Sequence, residues 1–190
     1  MKALEQRILK EGVVLPGNVL KVGSFLNVQI DPAFTAQMGQ EIANAFAGDG
    51  VTKVLTIETS GIPLAYATGY ALGTPVVFAK KSRTANLSGG AYTARVHSYT
   101  HNEDYDAVVS REYLNENDRI LLIDDFLANG EALQGLIAIV RASGAALAGA
   151  AVAIEKAFQG GGDRLRAAGV RVESLARIAS MTDDSLRFVR

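Results

Sequence analysis

The sequence predicts an α/β fold in which a mostly parallel sheet is flanked by helices. Short aliphatic runs of the buried-strand type centre on Val54, Val76, Ile120 and Val152, and segments with apolar residues at helical spacing separate them. Strands that alternate with helices favour a parallel sheet, because parallel neighbours need a crossover connection. The length of 190 residues suits one domain with a real core, so we expect a single domain over residues 1–190.

The composition excludes several classes of protein. With 48% hydrophobic residues, 21% charged residues and a net charge of −1, the chain has neither the composition of a disordered protein nor a basic footprint for nucleic acid. The absence of cysteine excludes disulfides and thiolate metal sites. No apolar run has the length of a membrane span, and residues 1–7 lack the apolar core of a signal peptide. We therefore expect a cytoplasmic protein with no nucleic-acid or membrane partner.

The central stretch of the chain is a buried strand followed by two acids and a short loop. Four aliphatic residues at 120–123 precede Asp124 and Asp125, whose carboxylates suit a diol or a metal. The loop that follows offers backbone N–H groups at the start of a helix, which favours a phosphate. Since ligands of open α/β sheets bind beyond the carboxyl ends of the strands, this pattern predicts a site for a phosphorylated sugar, although acids here also commonly cap a helix. The loop residues are Ala128, Asn129, Gly130, Glu131 and Ala132.

A second loop of similar character follows the strand 53–57. Thr59 and Ser60 could face an anion with their hydroxyl and N–H groups, and Gly61 permits an unusual backbone angle. Capping of the next helix by these residues is the plain alternative. Two such loops at the ends of parallel strands would suit a ligand with phosphates at both ends.

Cationic residues follow the next strand, which we predict over residues 74–79. Lys80 and Lys81 emerge at the same edge of the sheet, where a cation would meet a polyanion, although adjacent lysines are often only solvated. The polar run that follows contains Arg83 and has the length of a lid loop. Neither His97 nor His101 has a paired nucleophile or third ligand nearby in sequence, so we expect surface or pairing roles for them.

The whole pattern resembles the phosphoribosyl-pyrophosphate (PRPP) signature of the type I phosphoribosyltransferases: a hydrophobic strand, two acids, two apolar residues and a small phosphate loop. The resemblance covers essentially the whole chain and is strongest to the members that act on xanthine in bacterial purine salvage. It implies the type I phosphoribosyltransferase fold, with a small hood from about residues 1–30 and part of the C-terminal region. The implied reaction transfers the 5-phosphoribosyl group of PRPP to xanthine, giving xanthosine 5′-monophosphate and pyrophosphate. Mg²⁺ bound with PRPP, no organic cofactor and a homodimer are also implied.

The same resemblance assigns roles to residues. Asp124 and Asp125 become the catalytic acids and indirect metal contacts, and the loop 128–132 becomes the PRPP phosphate site. The loop 59–61 and Lys81 become the pyrophosphate site. Leu20, Asn27 and Lys156 become base contacts, Leu20 and Asn27 from the hood, and we add Phe158 as a ring that could stack on the purine.

The phosphate loop departs from the pattern of many relatives. Those relatives close the loop with two glycines and a hydroxyl residue, whereas Glu131 and Ala132 occupy the corresponding places here. The backbone donors survive, the side-chain hydroxyl contact does not, and Glu131 must point away from the phosphate.

Two alternatives remain open at this stage. An adenine phosphoribosyltransferase would share the fold and the acids, but its pocket should present an acceptor to the exocyclic amine, whereas Lys156 is a donor. A non-catalytic regulator that senses PRPP would carry an added DNA-binding domain, and no basic helix-turn-helix precedes Asp31.

Overall fold

Helices and strands alternate along the chain as predicted. The computed structural model describes residues 1–82, 90–98, 103–182 and 185–190. Arg83 and His101, singled out above, lie outside the described residues. The helices are α1 (Lys2–Glu11), α2 (Pro32–Ala45), α3 (Ile62–Leu72), α4 (Glu131–Ser143) and α5 (Gly161–Ala167); the strands are β1 (Val13–Leu15), β2 (Val19–Lys21), β3 (Lys53–Ile57), β4 (Val76–Ser82), β5 (Ala91–Ser98), β6 (Glu103–Ser110), β7 (Arg119–Leu127), β8 (Ala146–Lys156), β9 (Val172–Thr182) and β10 (Ser185–Phe188).

Within the described residues, eight strands form one sheet in the order β10-β9-β8-β7-β3-β4-β6-β5. The five strands β9, β8, β7, β3 and β4 are parallel to one another, whereas β10, β6 and β5 are added antiparallel at the edges. The predicted mostly parallel α/β sheet is therefore confirmed.

The strand order reverses between β3 and β7. From β3 the chain moves outward to β4 on one side, and from β7 it moves outward to β8 and β9 on the other. At such a switch point the loops after the two neighbouring strands diverge and leave a crevice, which is where open α/β sheets bind ligands. The loop 58–61 follows β3 and the loop 128–130 follows β7, so both predicted phosphate loops border this crevice.

Two hydrophobic clusters cover the two faces of the sheet. One includes Leu133 and Leu136 of α4 and Leu165 of α5 against the sheet. The other includes Leu4 of α1 and Met38 of α2 and continues into the segment that precedes α2. Apolar burial on both faces explains why the central strands are aliphatic almost throughout. No helix among the described residues is long and apolar enough to cross a membrane.

The start of α2 has the residues that are usual at a helix N-terminus. The Asp31 carboxylate accepts a hydrogen bond of 3.0 Å from the Phe34 N–H, and Pro32 occupies the first helical position. The Arg7 guanidinium of α1 donates to the same carboxylate at 2.6 Å. The cap therefore also attaches α1 to the end of the N-terminal segment.

Two predicted boundaries were wrong. Strand β7 continues through Asp124 and Asp125 to Leu127, because β8 pairs with it along this whole stretch. Strand β4 continues through Lys80 and Lys81, which pair with β6. At the C-terminal end of the chain, β10 pairs with β9 in the antiparallel direction.

Candidate active site

The two acids lie inside β7, near its C-terminal end, rather than in the loop that follows it. Asp124 is 7% exposed and Asp125 is 8% exposed. The Asp125 N–H donates to the Asp124 carboxylate at 2.9 Å. Two carboxylates are thus held at adjacent positions of a buried strand, with restricted access to water.

Electrostatics in this pair disfavour two full charges. Burial, the charge of Asp125 and the contact between the two carboxyl groups raise the pKa of Asp124 well above its usual range, and the Lys81 ammonium opposes this shift. A cationic group or a hydroxyl donor that enters the site would stabilise the ionised form of Asp124. The pair is therefore suited to receive a cation or a diol.

The predicted phosphate loop has the geometry of an anion site. Gly130 adopts a left-handed conformation with φ 86° and precedes α4 as its N-cap, without a side chain to cap the helix. The first N–H groups of α4 consequently have no partner within the helix. The loop borders a cavity of about 160 Å³, whose wall also includes Asp124, Phe126, Tyr105 and His97.

Helix α5 supports this loop from behind. The Gly161 N–H donates to the Ala128 carbonyl at 3.1 Å, and the Arg164 guanidinium donates to the Asn129 carbonyl at 2.8 Å. A side chain at Gly161 would clash with the backbone of Ala128, Asn129 and Gly130. The loop is therefore shaped by a glycine outside it, the middle one of the three consecutive glycines at 160–162.

The loop after β3 approaches Asp124 closely. The reason predicted for Gly61 was wrong: its backbone is ordinary, with φ −72° and ψ −20°. A Cβ there would instead meet Thr56 and lie 3.1 Å from the Asp124 carboxylate. Gly61 is also the N-cap of α3 and has no side chain to cap it. The Ile62 N–H donates to the Thr59 carbonyl at 3.2 Å and Pro63 has no N–H, so the start of α3 offers fewer donors to an anion than the start of α4. The peptide between Glu58 and Thr59 is cis.

The two adjacent lysines diverge. Lys80 borders an apolar groove with Lys53 and Tyr113. The Lys81 ammonium instead lies 5.0 Å from the centroid of the Tyr105 ring, and its charge acts on Asp124. The backbone N–H of Lys81 donates to the Glu58 carboxylate at 2.6 Å. Of these two candidates, Lys81 is the one beside the crevice.

The N-terminal segment reaches the acids through Asn27. Its amide group donates to the Asp125 carboxylate at 3.0 Å. Leu20, in contrast, is 7% exposed and belongs to the hydrophobic cluster with Leu4 and Ile8. The structure thus places Asn27 at the site, and Leu20 packs in the core beneath the N-terminal strands.

Lys156, at the end of β8, connects the sheet to the N-terminal segment. Its ammonium donates to the Asn18 carbonyl at 2.8 Å and lies 5.5 Å from the centroid of the Phe126 ring. Burial lowers the pKa of Lys156. Phe158 follows in a short 3₁₀ turn and remains partly exposed, as a stacking ring would need to be.

A fully buried Glu155 fixes the position of Lys156. It accepts two hydrogen bonds from Arg166, at 2.8 and 2.7 Å, and further bonds from Ser174 and Arg177. Although burial acts in the opposite direction, the bonds from Arg166, Ser174 and Arg177 lower the pKa of Glu155 to about 2. The network joins β8, α5 and β9 next to Lys156, at the C-terminal end of β8.

The site carries no resident metal centre of its own among the described residues, which contain no cluster of three or more His, Cys, Asp or Glu side chains placed to hold an ion. Two buried carboxylates beside a phosphate loop nevertheless fit Mg²⁺ that arrives on a polyphosphate, because Mg²⁺ keeps several waters and uses one or two carboxylates. The donor set therefore agrees with a metal that is shared with the substrate.

Sequence reasoning did not place four residues near the site. Tyr105 and His97 border the cavity from the β5–β6 hairpin, where an alternating pattern gives no indication of which residues face a ligand. Arg164 and Glu155 act through other residues, and only their three-dimensional contacts reveal this. His97 itself has a pairing role, as predicted: its Nδ1 lies 2.7 Å from the Asp104 carboxylate.

A parallel sheet with two buried acids between two phosphate-type loops at its switch point defines the class of the protein. A sequence model of the phosphoribosyl transferase domain matches residues 29–170. The xanthine phosphoribosyltransferase of Brevibacillus brevis is 51% identical over 100% of this chain and 96% of its own length. That of Finegoldia magna is 50% identical over 99% of both chains. The chain therefore belongs to the phosphoribosyltransferase family, among the xanthine phosphoribosyltransferases.

Solved structures of other members share the fold. Adenine phosphoribosyltransferase of Giardia lamblia, complexed with 9-deazaadenine, superposes with a TM-score of 0.77 at 20% identity and covers 92% of this chain and 97% of its own. The Trypanosoma brucei enzyme, in complex with AMP, pyrophosphate and ribose 5-phosphate, gives a TM-score of 0.75 at 19% identity and covers 92% of this chain and 79% of its own. The predicted type I phosphoribosyltransferase fold is confirmed.

Proposed function

We propose that this protein is a purine-salvage enzyme that transfers the 5-phosphoribosyl group of PRPP to xanthine and releases xanthosine 5′-monophosphate and pyrophosphate. The observation that carries the proposal is the placement of Asp124 between the loop 128–132 and the loop that contains Gly61. The names of the relatives at about half identity agree with the choice of base.

PRPP would bind along the crevice. Its 5-phosphate rests on the N–H groups of the loop 128–132, and its ribose hydroxyls meet Asp124 and Asp125. The pyrophosphate group meets Thr59, Ser60 and the Lys81 ammonium. Mg²⁺ carried by PRPP, held by the pyrophosphate with help from Asp124 and Asp125, would neutralise the leaving group.

In the reaction the bond from ribose C1 to the pyrophosphate oxygen breaks, and its electron pair leaves with pyrophosphate. A nitrogen of the xanthine anion, whose proton has been lost to solvent, forms the new bond to C1. Positive charge develops on the ribose as the first bond breaks. Ionised carboxylates at Asp124 and Asp125 stabilise that charge, and a fixed buried arrangement makes this effect stronger than in water. Xanthine is the most acidic of the common oxopurines, so the reaction needs no strong general base.

The base would be recognised between the N-terminal segment and the end of β8. Lys156 donates to an exocyclic oxygen, and the Phe158 ring stacks on the purine. Because the amide N–H of Asn27 is directed at Asp125, its carbonyl oxygen is left to accept from a ring N–H. A donor beside an acceptor suits an oxopurine. Leu20 would supply an apolar contact to the base.

The proposal extends to the organisation of the protein. Residues 1–190 form one domain with a hood from about residues 1–30 and part of the C-terminal region, and the enzyme acts in the cytoplasm. A homodimer is proposed through the uncharged apolar groove between α2 and α3, of about 590 Å³, where Tyr66 and Tyr70 are 66% and 81% exposed.

An initial-rate assay tests the reaction. The purified protein is given Mg²⁺, PRPP and one base at a time: xanthine, guanine, hypoxanthine or adenine. We expect a clear preference for xanthine, detected as xanthosine 5′-monophosphate. A preference for adenine would retain the PRPP site and overturn the base assignment, and PRPP binding without turnover would favour a PRPP-sensing regulator.

A further inference from the structure

Tyr105 lies on β6 and borders the same cavity as the loop 128–132. Its position is set by the β5–β6 hairpin, in which it pairs with Val96. Val96 packs against α4 at Gly135, where any side chain would clash with it. The tyrosine ring is therefore fixed relative to the helix whose first turn forms the phosphate loop.

The surroundings of the ring combine a cation, an acid and a paired histidine. The Lys81 ammonium lies 5.0 Å from the ring centroid, and the charge of Asp124 acts on the hydroxyl. His97, which borders the same cavity, is paired with Asp104. The ring packs against the core, yet among the described residues none forms a hydrogen bond with the Tyr105 hydroxyl.

This hydroxyl remains a donor over the physiological range. Burial and the charge of Asp124 raise the pKa of Tyr105 to about 12, so the phenol stays protonated. A phosphate group offers only acceptors, and its oxygens are strong ones. The Tyr105 hydroxyl, which has no hydrogen-bond partner among the described residues, is therefore a suitable donor to a phosphate bound at the loop 128–132.

We propose that Tyr105 is a substrate-binding residue whose hydroxyl donates a hydrogen bond to the 5-phosphate of the sugar in the loop 128–132. The inference rests on the proposed function, since it names a further contact in the same site. The loop supplies backbone donors, and the tyrosine adds a side-chain donor from the hairpin.

Binding of ribose 5-phosphate, measured by titration calorimetry, tests this contact without turnover. Tyr105→Phe keeps the ring and removes only the donor, and we expect about 10-fold weaker binding, the size usual for a hydrogen bond to a charged group. KM for PRPP should rise in parallel while KM for xanthine is unchanged. The control is Tyr92→Phe on β5, whose ring also packs under a cation, Arg111 at 4.9 Å, but does not border the cavity.

The outcomes separate the two proposals. If the wild type binds ribose 5-phosphate and Tyr105→Phe binds it equally well, the role of Tyr105 is wrong and the proposed function stands. If Tyr105→Phe weakens binding of pyrophosphate instead, the assignment to the 5-phosphate is wrong. If the wild type binds neither ribose 5-phosphate nor PRPP, the proposed function itself fails.

Discussion

Lys156 holds its ammonium between the carbonyl of Asn18 and the ring of Phe126, with two protons left for a ligand. Replacement by methionine keeps the apolar stem and removes the donor. We expect Lys156→Met to raise KM for xanthine about 10-fold or more, because a site that hydrogen-bonds a substrate oxygen loses affinity when the donor is gone. PRPP affinity, measured by titration calorimetry, should change little.

Lys10→Met, on the solvent side of α1, is the matched control and should behave as the wild type in both measurements. An equal loss of PRPP affinity and of xanthine use in Lys156→Met would contradict the assignment of Lys156 to the base.

Glu155 makes the stability of the protein depend on acid pH. Its pKa is about 2 in the fold and near 4.5 in the unfolded chain, so the fold gains stability that is complete above pH about 5. That contribution, about 3 kcal/mol at about 1.4 kcal/mol per pKa unit, is lost as pH falls toward 2. We expect the free energy of unfolding of Glu155→Gln, from urea titrations between pH 6 and 3, to fall less steeply than that of the wild type. Parallel curves would contradict the buried ionised state.

The residues assigned to the PRPP site were easier to predict from the sequence than the residues that surround them. Asp124 and the loop after it were predictable because a strand, two acids and a helix start are local features. The role of Gly61 was not, since its constraint is the close approach of Asp124, which is more than 60 positions further along the chain. Tyr105 carried no signal, because an alternating hairpin looks the same whichever face meets a ligand.

At the scale of elements, α5 couples the end of β8 to the phosphate loop. We expect Gly161→Ala to weaken PRPP binding by at least about 10-fold, because the added Cβ would displace the backbone of Ala128 and Asn129. Alanine is otherwise the better helix former by about 1 kcal/mol, so a loss would not come from helix propensity. PRPP affinity and the free energy of unfolding, measured on the same samples, separate the two effects.

Gly48→Ala is the control for this substitution. Gly48 has φ 89° and open space around it, so alanine there costs stability through backbone strain and touches nothing in the site. It should lower the free energy of unfolding and leave PRPP affinity intact. Wild-type PRPP affinity in Gly161→Ala would show that α5 does not shape the loop.

The boundaries of elements were predictable only where local signals mark them. The start of α2 was marked by Asp31 and Pro32, and the ends of α3 and α4 by Gly73 and Gly144, both in the left-handed conformation. Strand β7 runs on through its acids because of pairing with β8, a long-range interaction that polar residues conceal. The short β10 likewise depends on β9 as its partner.

At the scale of the molecule, the sequence predicted parallel strands but not their order. The order places β3 beside β7, although β4, β5 and β6 lie between them in the chain. Only this neighbourhood brings the loop 58–61 to the loop 128–130. The two phosphate loops were each predictable from local residues, whereas the distance between them depends on topology.

The prediction of a homodimer places the interface at the apolar groove between α2 and α3. It is lined by uncharged residues, and its rim begins at Ile62, directly after the loop assigned to pyrophosphate. A second large apolar groove contains Lys53, Lys80 and Glu112, whose desolvation would oppose a tight apolar interface. We expect light scattering to give twice the monomer mass for the wild type and the monomer mass for the double variant Tyr66→Glu with Tyr70→Glu.

Tyr113→Glu places the same charge on an exposed tyrosine of the other groove and should remain dimeric. Dissociation of Tyr113→Glu with persistence of the double variant as a dimer would move the interface to that groove. A monomeric wild type at micromolar concentration would contradict the homodimer altogether. Because the α2–α3 groove adjoins the loop 59–61, dissociation of a dimer formed at this groove should also raise KM for PRPP. Dissociation of a dimer formed at the groove around Tyr113 should leave KM for PRPP unchanged.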